Sequence, residues 1–407
     1  MAGRLRVTAW VQTLDEPLTT RSSFDSHADI PFMFFIKQFC SALVLHVSTF
    51  CTDTMAIYLL CSCRRSYALR FNYTLKHAVT VERLPSICFR PSQVLVLHDE
   101  SDYRSLPKSV TRITFGPRFR ARIPENVLPD SLTTLEFGSG FDLAHDVSWN
   151  EPFGANVLPQ SLTSLTFGCC FNQSLSHCVF PASLTYLEFG THFNNPITEN
   201  SLPPRLSTLC FTNSFNQMLI KNTLPATLLS LSLGFYFNQP IDADVLPAGL
   251  IDLALGAWFN QPIRPRVLPQ SLLYLTFGCD FNQRLEVGSL PRSLTRLTFG
   301  IQFNQQIDVG VLPDSLTHLI FGWKFNQPIG CNVLPRSLLH LTFDCMFDQP
   351  IGDDVLPPSL THLEFGSRFS HFLPKRPLLP HLSFLFINNS PRQPSDSLLS
   401  NTTVAWP

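Results

Sequence analysis

Residues 312–329 read L-P-D-S-L-T-H-L-I-F-G-W-K-F-N-Q-P-I, and residues 290–307 read L-P-R-S-L-T-R-L-T-F-G-I-Q-F-N-Q-Q-I. The two stretches begin 22 residues apart, and variants of the same pattern recur twelve times between Leu106 and Pro377. Each interval between successive units is 22 residues, except that between the second and the third, which is 30. Self-similarity at a constant period of this length is the sequence signature of a repeat protein.

Apolar positions within a unit follow the pattern of a short strand. Positions five, eight and ten are apolar throughout, as in Leu316, Leu319 and Phe321. The alternation at positions seven to ten predicts a strand with one buried face. Position eleven is glycine in ten units, for example Gly322, and we expect it to form a turn with a positive φ directly after the strand.

Two columns of aromatic rings are expected to fill the interior. Position ten is mostly Phe, and position fourteen is Phe in all units if Phe141 is counted in the second, so stacking places ring above ring. The longer second unit offers an alternative, because Trp149-Asn150-Glu151-Pro152-Phe153 matches the F-N-Q-P-I pattern better than Phe141 and its neighbours do. We therefore predict an insertion near residues 139–148.

Side-chain amides recur at positions fifteen and sixteen, as in Asn238 with Gln239 and Asn326 with Gln327. They recur too regularly to be surface choices. We expect a ladder of amides, one rung per unit, that satisfies the backbone N–H and carbonyl groups of the turn.

A unit of 22 residues with one strand cannot bury its apolar face alone, whereas stacked units can. The predicted fold class is therefore a mainly β repeat solenoid with a small α-helical N-terminal segment. The predicted organisation is a flexible N-terminus at 1–30, a helical segment at 31–83, an N-terminal cap at 84–105, twelve repeats at 106–377, a partial capping repeat at 378–387 and a disordered tail at 388–407.

The unit resembles the FNIP repeat, a leucine-rich-repeat-like family named for a tetrapeptide that appears here as F-N-Q-P at residues 259–262. The spacing L-x-x-L-x-F is also similar to the first half of a leucine-rich repeat, although the Asn lies ten residues after the first Leu, from Leu316 to Asn326, instead of eight. The resemblance implies a horseshoe-like or rod-like solenoid. It also implies a protein-interaction surface without enzymatic chemistry.

The segment before the repeats has a different pattern. Between Leu43 and Leu69, apolar residues recur at helical spacing around a polar break at residues 52–54, which predicts two or three short helices. This stretch resembles the central and C-terminal part of an F-box, which implies docking to a Skp-type adaptor and a cullin. A helical cap for the solenoid is the alternative. The candidate adaptor-docking residues are Val47, Phe50, Leu59, Leu60 and Tyr67.

Charge and composition exclude two classes of partner. Lys and Arg number 29 against 30 Asp and Glu, so the chain has no basic footprint for nucleic acid or for an anionic membrane. The most apolar early stretch, residues 39–63, contains His46 and Asp53, and we do not expect it to span a bilayer. The twelve cysteines form no C-x-x-C pair and are interpreted as reduced thiols, which predicts a cytoplasmic protein.

The sequence shows no motif of enzymatic chemistry. It contains no G-x-x-x-x-G-K-[ST], H-E-x-x-H or G-x-S-x-G, so we expect no enzyme, cofactor or bound metal. Three histidines occupy position seven of successive units, where side chains point in parallel and do not converge on one ion. Position seven varies between units, which suits partner specificity, although a merely solvated face is the alternative. The candidate partner-binding residues are Arg112, Tyr186, Asp252, Tyr274, Arg296, His318, His340 and His362.

These observations lead to two hypotheses of function. The first is a protein-interaction solenoid that serves, by the F-box resemblance, as the substrate-recognition subunit of a cullin-type ubiquitin ligase. The second is a non-enzymatic scaffolding or structural repeat protein whose N-terminal helices only cap the solenoid.

Overall fold

In the computed structural model, residues 106–116, 119–138, 149–373 and 379–388 are described in full, together with the backbone of three strands at 78–80, 94–97 and 403–405. The predicted helical segment, the predicted insertion and Phe141 lie outside these residues, apart from the strand at 78–80. That strand falls at the end of the segment 31–83.

Each repeat contributes one short strand. A single turn of 3₁₀ helix, Leu175–His177, lies in the third unit. The strands are β1 (Ala78–Thr80), β2 (Val94–Leu97), β3 (Arg112–Phe115), β4 (Thr134–Phe137), β5 (Ser164–Thr166), β6 (Tyr186–Phe189), β7 (Thr208–Phe211), β8 (Ser230–Ser232), β9 (Asp252–Ala254), β10 (Tyr274–Thr276), β11 (Arg296–Thr298), β12 (His318–Ile320), β13 (His340–Thr342), β14 (His362–Phe365), β15 (Phe384–Ile387) and β16 (Thr403–Ala405).

The described strands form one parallel sheet in strict chain order, from β1 to β16. Register follows the repeat, so that equivalent residues are partners, as in Leu275 with Leu297 and Leu297 with Leu319. The predicted solenoid is confirmed: the molecule is a leucine-rich-repeat-like parallel β-solenoid with about twelve turns of about 22 residues. At one end β16 falls within 388–407, where composition predicts disorder; the structure differs because Thr403 and Val404 are β-branched and pair with β15.

The interior is built from leucine and from two columns of phenylalanine, as the sequence predicts. Phe299 at position ten and Phe303 at position fourteen are fully buried, with ring centroids 3.8 Å apart. Each ring also stacks on its equivalent in the next unit, and the centroids of Phe303 and Phe325 lie 6.0 Å apart. Trp149 takes the position-fourteen place in the second unit, since its ring stacks on Phe171 at 5.7 Å.

The expected amide ladder is present, and its main acceptor is the Asn side chain. Oδ1 of Asn260 accepts the backbone N–H of Asn282 at 3.0 Å and Nε2 of Gln283 at 3.0 Å. The same pair of bonds links successive units over most of the solenoid. Backbone carbonyls are satisfied in this way at two rungs, where Asn150 and Asn172 accept from the amide of the following unit.

Glycine at position eleven has a different cause from the one expected. Positive φ in the described residues falls instead at position twenty-one, which holds Asn222, Asp244 and Gly288 among others. Position eleven is glycine because successive units approach closely there: a Cβ added to Gly300 would lie 1.7 Å from the carbonyl oxygen of Gly278. The prediction of a positive φ at position eleven was therefore wrong, and backbone contact between units explains the residue.

Candidate interaction face

All eight position-seven candidates open a strand on the face opposite to the core. Position eight is buried in every one of these strands, and strand side chains alternate, so positions seven and nine share the outer face. Tyr274 is the most exposed aromatic ring in this column, with 42% of its surface accessible. The strands that carry the candidates are β3, β6, β9, β10, β11, β12, β13 and β14.

The structure brings five of the eight candidates together. Tyr274, Arg296, His318, His340 and His362 are register partners on five consecutive strands. We call these five residues the Tyr-Arg-His column. The other three candidates lie apart, because Asp252 is followed along the sheet by the small side chains of β8 and β7 before Tyr186 is reached.

Outside this column, the candidates pair with local neighbours. The hydroxyl of Tyr186 donates a hydrogen bond to Glu188, two residues along the same strand. Ser230 donates to Asp252 at 3.2 Å from the neighbouring strand. Burial raises the pKa of Asp252, and the hydrogen bond from Ser230 only partly offsets this effect. These side chains are held in place before any partner arrives.

The three histidine rings stack. Ring centroids of His318 and His340 lie 4.2 Å apart with planes 8° from parallel, and those of His340 and His362 lie 4.1 Å apart. The ring of Phe384 continues the column at 5.7 Å from His362. Burial lowers the pKa of His340 to about 4, helped by the neighbouring imidazoles and by Arg296. The middle ring is therefore neutral at physiological pH.

Hydroxyl groups at position six set the tautomers of two of these rings. The Thr317 hydroxyl donates to the carbonyl of Thr295 at 3.0 Å and lies 2.9 Å from Nδ1 of His318. Because its one proton is already donated, it must accept from the Nδ1–H of the ring. Thr361 does the same for His362. In the neutral form both rings therefore leave Nε2 as a free acceptor.

Parallel rings are unsuited to holding a single metal ion. Ligand lone pairs must converge on an ion about 2.0–2.1 Å away, whereas the nearly parallel planes of His318 and His340 direct theirs side by side. Among the residues described in the structure, no group of three or more His, Cys, Asp and Glu side chains is arranged to hold a metal. What this column can do chemically is to accept or donate hydrogen bonds and to gain protons.

Sequence reasoning missed a second aromatic group, at the edge of the sheet. Trp258 is half-exposed, and its ring meets Tyr236 edge-on with centroids 4.5 Å apart. Phe235 packs against the same tyrosine at 5.1 Å. Trp258 and Tyr236 share position thirteen of successive units, so the 22-residue period was the signal that could have found them.

The five candidate adaptor-docking residues lie in the part of the chain that the structure does not describe, so their placement stays a prediction. No helix in the described part is long and apolar enough to cross a membrane.

Comparison with solved structures gives one close match. A protein designated CroV588, whose structure is described as a novel circular leucine-rich-repeat protein, is 48% identical and superposes with a TM-score of 0.67. The match covers 73% of this chain and 44% of CroV588, so the chain spans less than half of that protein.

Two bacterial leucine-rich-repeat proteins are more distant. The one from Bacteroides ovatus is 14% identical, with a TM-score of 0.17 over 81% of this chain and 91% of its own. The one from Eubacterium ventriosum is 12% identical, with a TM-score of 0.20 over 74% of this chain and 92% of its own. No curated protein sequence matches this chain.

The family comparison covers nearly the whole solenoid. The FNIP Repeat pattern matches residues 102–140, 149–192, 193–236, 237–280, 281–324, 303–346, 325–368 and 347–390. These matches coincide with the stacked units, the buried phenylalanine columns and the asparagine ladder. The chain therefore belongs to the FNIP repeat family.

Proposed function

We propose that this protein is an interaction scaffold that binds another protein through the outer face of its sheet. A solenoid of FNIP and leucine-rich-repeat type is typically a non-enzymatic scaffold. The observation that carries the proposal is the contrast between columns: position eight is leucine or isoleucine in β3 to β14, whereas position seven changes from strand to strand. Stability explains the constant column, and it leaves the variable column free to specify a partner.

The dimensions of the face suit a single partner. Six strands from β9 to β14, spaced about 4.8 Å apart, span roughly 24 Å. A standard protein interface buries about 800 Å² per partner, which corresponds to a patch about 28 Å across. Tyr274 and Arg296 lie inside this span, and tyrosine and arginine are among the residues that contribute most to binding. One globular partner can thus cover the whole Tyr-Arg-His column.

Site-specific photo-cross-linking tests the proposal. A benzophenone amino acid replaces Tyr186 or Tyr274 on the outer face, or Val287 or Val309 as matched controls. Both valines are well exposed but lie in the return segment, 64% and 60% accessible respectively. We expect a discrete cross-linked protein from the face positions and none from the controls. Equal products from all four positions, or products from the return segment alone, would show that the outer face is not the binding surface.

Adaptor docking by the N-terminal segment is a separate proposal, which rests on the F-box resemblance of residues 43–69. Its test is binding of a purified Skp-type adaptor to the full chain, compared with a variant in which Phe50 and Leu60 are changed to Ser. Binding that the variant loses would support a role as the recognition subunit of a ubiquitin ligase. Absence of binding by the unaltered chain would leave the scaffold function alone.

A further inference from the structure

We propose that the part of the outer face formed by Tyr274, Arg296, His318 and His340 binds an acidic segment of a partner protein, and that this binding takes up protons. The proposal rests on the function proposed above, since it assigns a chemical class to the partner of the same face. Its consequence is an affinity that increases as the pH falls from neutral toward 6.

Fixed charges on this part of the face favour an anionic partner. Positions seven and nine of β10 to β13 carry Tyr, Thr, Arg, His and Ile side chains and no carboxylate. Arg296 is exposed and forms no ion pair with any residue that the structure describes. Asp252, the nearest acidic residue of the column on that side, is two strands away. An arginine without a carboxylate partner, beside aromatic rings, is suited to bind a carboxylate in a bidentate manner.

The histidines add positive charge only when a counter-charge is present. Burial lowers the pKa of His318, and the positive charge of Arg296 and the nearby His362 lower it further. The pKa of His340 is lowered to about 4, first by burial and then by its charged neighbours. A carboxylate placed over these rings removes the repulsion and accepts a hydrogen bond from Nε2–H of the imidazolium. Binding therefore raises both pKa values, and by linkage protons strengthen binding.

The tautomer of His318 prepares this exchange. Its Nδ1–H is donated to the Thr317 hydroxyl, so the proton gained on acidification goes to Nε2. Thr317 is itself held by the carbonyl of Thr295 on β11's unit, which keeps the ring orientation unchanged between the two protonation states. The ring that accepts a hydrogen bond at neutral pH thus donates one at lower pH without moving.

Charged groups around the column define which end the acidic segment occupies. Arg296 flanks the histidines on β11, and Phe384 closes the other side on β15. Glu364 lies on β14, at position nine, and its carboxylate accepts from Thr342 at 3.5 Å. A partner carboxylate is repelled near Glu364 and attracted near Arg296. We therefore place the acidic contacts over β11 to β13.

The test uses the full chain of 407 residues and a fluorescein-labelled hexaglutamate peptide, with labelled hexaglutamine as the uncharged control. Glutamate side chains stay ionised at both pH 7.5 and pH 6.0, so a change in affinity reports on the protein. Fluorescence anisotropy should show binding about fivefold or more tighter at pH 6.0. Arg296→Gln should weaken binding at both pH values. Arg292→Gln, in an exposed turn, is its matched control and should change neither affinity.

A variant with His318, His340 and His362 all changed to Gln should keep binding at pH 7.5 and lose the gain at pH 6.0. Circular dichroism confirms that each variant is folded at both values. The proposal is overturned if the unaltered chain binds hexaglutamate equally at both pH values, if hexaglutamine binds as tightly, or if the glutamine variant keeps the pH dependence. A partner cross-linked at Tyr274 in a chain that fails this test would retain the scaffold function and refute only the acidic class; failure of both tests would refute both.

Discussion

At the scale of single residues, the buried phenylalanines contribute most to stability. Phe303 is fully buried and stacks between Phe281 and Phe325, each about 6.0 Å away between ring centroids. Phe303→Ala removes these contacts and leaves a cavity, which should lower the free energy of unfolding by about 3–5 kcal/mol. Urea denaturation measures the loss. Val309→Ala, at a site that is 60% exposed, is the control and should change little; a similar small effect at Phe303 would refute the core assignment.

Position twenty-one supplies an opposite, stabilising prediction. Ten units place a positive φ there, and Asn, Asp or Gly occupies nine of them, which tolerate this conformation. The exception is Arg266, with φ of 69°. Arg266→Asn should raise the free energy of unfolding by up to about 1 kcal/mol, because asparagine adopts the left-handed region at lower cost. Arg264→Asn, two residues earlier and outside that region, should give no gain; an equal gain there would mean that backbone conformation is not the cause.

Sequence alone predicted the buried residues because alternation and periodicity are local signals. It placed Leu319 and Phe321 inside and His318 outside, as the structure does. It could not explain glycine at position eleven, since a short strand-to-turn sequence is equally compatible with a positive φ and with close backbone approach. Distinguishing the two requires the position of the neighbouring unit, which a single repeat does not contain.

At the scale of the repeating element, the asparagine rung links each turn to the next. Asn260→Ala removes the acceptor for two donors, the backbone N–H of Asn282 and the amide of Gln283. We expect a loss of about 1–3 kcal/mol, since a backbone donor is left without its partner. Asn260→Asp keeps an acceptor oxygen and should lose much less. The eleventh unit already contains this arrangement, where Asp348 accepts the backbone N–H of Ser370 at 2.9 Å.

The carboxylate of Asp348 shows why aspartate is tolerated in the ladder. Burial acts to raise its pKa, but hydrogen bonds from Ser370 and the nearby His371 and Arg368 outweigh burial and lower it. Comparing the urea midpoints of the two Asn260 variants at pH 7 tests this account. Equal losses for Ala and Asp would mean that the acceptor oxygen is not what stabilises the turn.

Close stacking of glycine turns gives a prediction about the element itself. Gly300→Ala places a methyl group 1.7 Å from the carbonyl oxygen of Gly278 unless the turn moves, so neighbouring units must separate. Gly330→Ala meets its nearest atom at 3.8 Å, an ordinary contact. Thermal unfolding should fall by several degrees for the first variant and by about one degree or less for the second. Indistinguishable melting temperatures would contradict the assigned role of position eleven.

The outer column could be predicted in part from the same elements. A period of 22 residues places His318, His340 and His362 in one column, and the rings do stack. What the sequence did not reveal is the tautomer, because it depends on the direction in which a neighbouring threonine donates its proton. Nor did it separate the contiguous Tyr-Arg-His column from the more distant Arg112, since all eight candidates share one position.

At the scale of the whole molecule, stacking makes stability additive and leaves the outer face independent of it. Each described strand pairs only with the strands of the neighbouring units, so interactions in the core extend from unit to unit without long-range crossings. The second unit keeps this order despite its extra length. Trp149 restores the ring column, and its Nε1–H donates to the carbonyl of Ala121 at 3.2 Å.

Separation of core from face is the central claim, and a triple variant tests it most directly. Tyr186, Tyr274 and Arg296 are changed to Ala, and calorimetry measures affinity for the protein cross-linked from the outer face. Each change should cost about 1–2 kcal/mol, so we predict binding at least 100-fold weaker with a melting temperature within about 2 °C of the unaltered chain. The matched control changes Val287, Val309 and Ile220, exposed in the return segments, to Ala. Unchanged affinity in a folded triple variant of the face, or an equal loss in the control, would contradict the claim that this sheet face binds the partner.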